Sequence, residues 1–84
     1  MLTDDLAARL ARARIPYLAQ RRAIRQAIAN LPERQAEAMT IVYIEGASKS
    51  EAARRLCVST VALHGLLTRA MPNVVAEIVT ILNL

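Results

Sequence analysis

Leucine, isoleucine, valine and alanine recur at three- and four-residue intervals along nearly the whole chain, broken by short polar corners, and that period marks amphipathic helices rather than strands. Leu2, Leu6 and Leu10 lie four apart and predict a first helix over roughly Thr3 to Arg14. Ile15 and Pro16 break it, because proline disfavours helical backbone in the residue before it. A second helix is predicted over Tyr17 to Ala29, with Ile24, Ile28 and Leu31 on one stripe. Leu31 and Pro32 open a third, since proline is harmless in a first turn where its missing N–H has no partner to lose. Ala36, Met39, Val42 and Tyr43 make its core stripe, and Gly46 is placed for a left-handed C-cap.

Two short helices then follow at close spacing. Ser48 and Glu51 form a capping box, in which the serine oxygen accepts a first-turn N–H and the glutamate returns to the N–H of the cap. The helix so started carries Ala52, Ala53 and Leu56 inward and Lys49, Arg54 and Arg55 outward, and ends near Cys57 with Val58 under the turn. Ser59 caps the next helix. There Ala62, Leu63, Leu66, Leu67 and Ala70 form the inward stripe, leaving Thr60, Val61, His64 and Thr68 to face outward. Two short helices and a turn of about three residues fit a helix-turn-helix, whose second helix can enter a DNA major groove.

Beyond Met71, Pro72 stands where a first-turn proline would start a last helix. Val74, Val75, Ile78, Val79, Ile81 and Leu82 give that helix a wide apolar surface, interrupted only by Glu77 and Thr80. It is too short to cross a bilayer. Such a surface has to be covered by the chain's own core, by a second copy in a homodimer, or by a partner. The predicted fold is all-α, a small bundle of five to six helices containing a helix-turn-helix.

The run LPERQ, a helix ending YIEGAS, the segment SEAARRLCVS and a helix closing LTRAM together resemble region 4 of bacterial RNA polymerase sigma factors, the extracytoplasmic-function type in particular. The likeness covers about Arg22 to Met71. It divides a single domain, 1–84, into an N-terminal helical extension (1–21), a sigma region 4-like core (22–71) and an apolar C-terminal helix (72–84). The resemblance implies a helical domain whose last family helix reads the upstream promoter element of double-stranded DNA while other faces touch RNA polymerase. A complete sigma factor is not implied, because a chain of this length has no room for the domain that melts the other promoter element. A regulator, an adaptor or a separated subunit is the expectation.

Departures from the family pattern are concentrated where DNA would be read. The recognition helix of the family resembles a threonine-valine-lysine-x-arginine-leucine run, whereas this chain has Ala62, Leu63, His64, Gly65, Leu66 and Leu67. Of the commonly basic positions only Arg69 survives, although arginine or lysine to guanine is the commonest specific contact. Gly65 inside the helix costs about 0.5 to 1 kcal/mol relative to alanine. Cys57 stands where the family usually has glycine, so a left-handed backbone there would be strained.

Two readings follow. In the first, Lys49, Arg54 and Arg55 meet the DNA backbone while Ser59, Thr60, Val61, His64 and Arg69 face bases or phosphates. In the second, the same fold is a protein-interaction module that docks on RNA polymerase or another transcription factor, or pairs with itself, through Leu66, Val75, Ile78 and Leu82.

Charge and composition bound both readings. The chain has 84 residues, 55% of them hydrophobic, with two tyrosines as its only aromatics and a net charge of +4. Residues 1–25 hold six arginines against two aspartates, so most of the basic excess lies outside the recognition helix. Arg9, Arg12 and Arg14 fall on the first helix and Arg21, Arg22 and Arg25 on the second, as phosphate contacts or as a solvated face. A lone Cys57 excludes an internal disulfide and suits a reducing compartment. Without the basic start and apolar core of a signal peptide, the chain is expected in the cytoplasm, with the nucleoid.

Catalytic chemistry finds no anchor. His64 and Cys57 are the only histidine and cysteine, no third group orients a base, and the acidic residues are too scattered for a metal site. No cofactor is expected.

Overall fold

In the computed structural model, which describes residues 3–84, five α-helices follow one another: α1 (Asp4–Arg12), α2 (Tyr17–Ala29), α3 (Glu33–Met39), α4 (Lys49–Arg55) and α5 (Thr60–Ile81). A π-helical segment, Thr40–Ile44, continues α3. No strand occurs among the described residues, and the fold is a small all-α bundle.

The helix starts follow from their caps. Thr3 Oγ1 accepts the Leu6 N–H at 3.1 Å, Ser48 Oγ that of Glu51 at 3.1 Å, and Ser59 Oγ that of Ala62 at 3.0 Å. At α4 the serine half of the capping box forms. The Glu51 carboxylate turns instead to Arg54.

Three helix ends share one device. Arg14, Cys57 and Asn83 sit in left-handed backbone at φ 54°, 57° and 56°. Around each, the residue's own N–H bonds back three positions and the next N–H bonds back five, as in Cys57 to Arg54 O at 3.1 Å and Val58 to Ala53 O at 3.0 Å. That is the Schellman closure, which uses the last carbonyls of a helix before the chain leaves it. Gly46, at φ 77°, closes the π segment as the expected left-handed cap, its successor Ala47 donating to Ile41 O at 3.1 Å.

The core is a layer of α2, α3 and α4 against α5. Leu63, Leu67, Ala70, Val74 and Ile78 form one buried stripe along α5. Ala23, Ile24, Ala27 and Ile28 face it from α2, Ala38 and Met39 from α3, and Ala52, Ala53 and Leu56 from α4 and its end. From α1, Leu6 and Leu10 are buried in the same cluster. Leu2, placed on that stripe by its spacing, lies outside the described residues.

Four expectations are corrected. The break at Met71 does not exist: α5 runs unbroken through Pro72 for 22 residues. Interior proline costs about 3 kcal/mol, but Val74 and Ile78, at 0% and 1% exposure, continue the stripe of Leu67 and Ala70 only if the helix keeps its phase. Burying two such side chains contributes roughly 1.5 to 3 kcal/mol each, enough to outweigh the proline. At about 1.5 Å per residue this one helix spans most of the 38 Å long axis.

Tyr43 is exposed rather than core, and Val42 only half-buried. Ala38, Met39 and Ile41 take the inward positions, the inward face being centred one residue earlier than expected, and the π turn over Thr40–Ile44 follows it. Ala62 also turns outward, leaving Leu63 to start the buried stripe of α5.

Ile78, expected to meet a partner, belongs to the chain's own core and has no surface to offer. Val74 is buried with it, while Val75, Val79, Ile81 and Leu82 are half-buried against the same cluster. The widest part of the surface foreseen for a homodimer is thereby used within the chain. Among the described residues, no helix is long and apolar enough to cross a membrane.

Candidate nucleic-acid interface

A helix-turn-helix requires a second helix whose first turns are exposed while its back is anchored, and the α4–α5 corner meets that requirement from the residues upward. Leu56 is buried at the end of α4, Val58 packs half-buried under the turn, and Cys57 between them takes the left-handed conformation. Ser59, in extended backbone, then caps α5. Behind the turn, Arg34 of α3 donates from Nη2 to Leu56 O at 3.0 Å. It thereby occupies a helix-end carbonyl and ties α3 to the corner.

Leu63 and Leu67 hold the back of α5 against the core. On the opposite side Ser59, Thr60, Val61, His64, Thr68 and Arg69 are all exposed, and Val61 reaches 81%. Residues i, i+1, i+4 and i+8 share a helical face, so Thr60, Val61, His64 and Thr68 form one continuous surface. Leu66, placed among the contact residues of the second reading, is half-buried against the core.

Electrostatically this surface is sparse. Arg55 Nη1 donates to Glu45 Oε1 at 2.8 Å. That hydrogen bond, and then the charge of Glu45, raise the Arg55 pKa above its ordinary value. A raised arginine pKa means full stabilisation throughout the neutral range, lost only as pH climbs through the alkaline range of arginine itself. Arg54 pairs with Glu51 on the same helix. Two of the three cations assigned to the DNA backbone are therefore already matched with carboxylates.

Lys49 is exposed and has no carboxylate partner among the described residues, and the same holds for Arg69. The Arg69 side chain lies back along α5, its Nη1 3.6 Å from where a Cβ on Gly65 would stand. That is an ordinary van der Waals distance, so an alanine at 65 would touch the guanidinium without displacing it. Away from the corner, Arg21, Arg22 and Arg25 are exposed on α2, with Arg21 5.8 Å from the centre of the Tyr17 ring.

Sequence reading missed Arg34 as a support of the corner. No periodicity could have found it, because its acceptor is a backbone carbonyl 22 residues away. Among the described residues no three His, Cys, Asp or Glu side chains come together as metal ligands would.

Comparison with known proteins gives one match: the family model described as sigma-70, region 4, fits residues 21–71. No curated protein and no solved structure matches the chain.

Proposed function

This chain belongs to the sigma-70 region 4 family, and from that premise we propose that it is a small transcription regulator that lays the first turns of α5 in the major groove of promoter DNA. What carries the reading is the exposed face of Thr60, Val61 and His64, capped by Ser59 and held from behind by buried Leu63 and Leu67.

Each residue has a chemical role in that pose. Val61 is apolar and projects where a thymine methyl would be met, while the Thr60 hydroxyl and the His64 ring can exchange hydrogen bonds with base edges. The positive end of the α5 dipole favours a phosphate at its first turn. Lys49 and Arg69 supply unmatched charge for the backbone. Arg54 and Arg55 reach phosphates only by giving up Glu51 and Glu45, so affinity for duplex is modest and depends weakly on salt.

Selection from randomised duplex DNA at low and moderate salt tests the reading. Enrichment of a short, A·T-containing motif whose preference shifts in Val61→Ala or His64→Ala is the expected result. Retention of all sequences alike overturns base reading by α5.

A second reading, docking on RNA polymerase or another transcription factor with little direct DNA contact, draws support from the paired state of Arg54 and Arg55 and the single arginine of the helix. Negligible retention of duplex at low salt, together with capture of a polymerase subunit, is the outcome that favours it.

A further inference from the structure

We propose that the groove along one side of α5 is a docking site for an amphipathic helix of another protein, apolar on its buried face and acidic along its edge. The groove has a volume of about 940 Å³. Its floor is a single i, i+4 row on α5, Leu67, Met71, Val75 and Val79, which at about 1.5 Å per residue extends roughly 18 Å. Three turns of apolar side chains in line are what a helix lying in a groove reads with its own i, i+4 and i+7 anchors.

The rim decides the charge of the occupant. Arg9 of α1, Lys49 at the start of α4 and His64 of α5 border the groove, and among the described residues no carboxylate lines it. Arg9 reaches Asp5 only at 3.9 Å, on the surface, a contact that is readily exchanged. An incoming helix with glutamates or aspartates flanking its apolar stripe meets both requirements together.

Other occupants fit less well. Four aliphatic or thioether side chains in a row offer nothing to a phosphate backbone. A second copy would have to present Val61, 81% exposed but isolated between the polar Thr60 and His64, or the adjacent pair Tyr17 and Leu18, each 66% exposed. That pair stands beside Arg14, Arg21 and Arg22, cations that would face a cationic rim. Arg9 and the stretch of α5 beyond Met71 lie outside the family match at 21–71, whereas Lys49, His64, Leu67 and Met71 lie within it, so the groove joins the family core to the flanking helices.

Occupancy also bears on DNA. His64 and Thr68 line the groove and stand on the face assigned to the duplex. The bound helix and the duplex then exclude each other, a consequence that rests on the DNA reading.

The probe is a fluorescein-labelled synthetic helix of about 16 residues with leucines at i, i+4, i+7 and i+11 flanked by glutamates, compared with the same peptide carrying lysines. Titrated with the full chain, the acidic peptide is expected to bind about ten-fold or more tightly than the basic one. Arg9→Glu with Lys49→Glu, both at surface positions, is expected to invert that preference while circular dichroism stays unchanged. Amide shifts on binding should concentrate between residues 64 and 80. Equal binding of both peptides, binding of neither, or shifts confined elsewhere overturns the docking site. In a second arm, release of a selected duplex by the acidic peptide supports mutual exclusion, and a ternary complex overturns it. A protein that takes the peptide but no duplex overturns the DNA reading alone.

Discussion

Cys57 carries the tightest local constraint in the corner that presents α5. Left-handed backbone costs a side-chain-bearing residue about 1 to 2 kcal/mol, and glycine in its place recovers that at a cost of roughly 0.5 to 1 kcal/mol in added freedom of the unfolded chain. Cys57→Gly should therefore raise stability by about 0.5 to 1 kcal/mol, seen as a higher urea midpoint at unchanged slope; a lower midpoint would show that the thiol packs favourably after all. The neighbouring arginines give a second residue-scale prediction. Removing the carboxylates that hold Arg54 and Arg55, as Glu51→Gln with Glu45→Gln, frees both guanidiniums for phosphate. Duplex affinity should rise several-fold at low salt, and the salt slope should steepen by about 1 to 2. No change on titration over a salt series would place those arginines away from the DNA.

Pro72 is the test at the scale of the element. If it began a helix, as its neighbourhood in the sequence suggests, alanine in its place would change little, because a first-turn proline has no hydrogen bond to lose. Inside the continuous α5 the same change restores one backbone hydrogen bond and relieves a clash. Pro72→Ala should raise the unfolding free energy by about 2 to 3 kcal/mol, measured by chemical denaturation. A shift within a few tenths of a kcal/mol would mean that α5 is two helices in solution. The π segment makes a related point. Gly46 was legible as a cap from its place after an apolar run, but the wider turn before it, with Ile41 rather than Tyr43 in the core, has no signal in a pattern read at 3.6 residues per turn.

On the scale of the whole molecule, the elements outside the family match complete the core. Leu6 and Leu10 enter from α1 and Val74 and Ile78 from the far half of α5, all four buried. A chain of this size has a total stability of roughly 4 to 12 kcal/mol, and truncating one such leucine costs about 2 to 5 kcal/mol. Ile78→Asp should accordingly abolish cooperative thermal unfolding and helicity at ambient temperature, whereas Val61→Asp, on the surface, should leave both intact. A fully helical Ile78→Asp protein would show that the end of α5 is not needed by the core.

What the sequence determined by itself was most of the local structure. Helix type follows from the three- and four-residue apolar period, helix starts from Thr3, Ser48 and Ser59, whose caps act within three residues, and the left-handed turn at Gly46 from the one residue type that takes it freely. The family likeness rests on the order of those same punctuation residues. What the tertiary structure decided were the competitions between distant groups. The burial of Val74 and Ile78 outweighs the helix-breaking tendency of Pro72; Glu45 claims Arg55 across ten positions, and Arg34 claims the carbonyl of Leu56. The groove between α1 and α5 exists only once both lie on the bundle. Each of these outcomes depends on which groups are brought within a few ångströms, and no spacing along the chain encodes that distance.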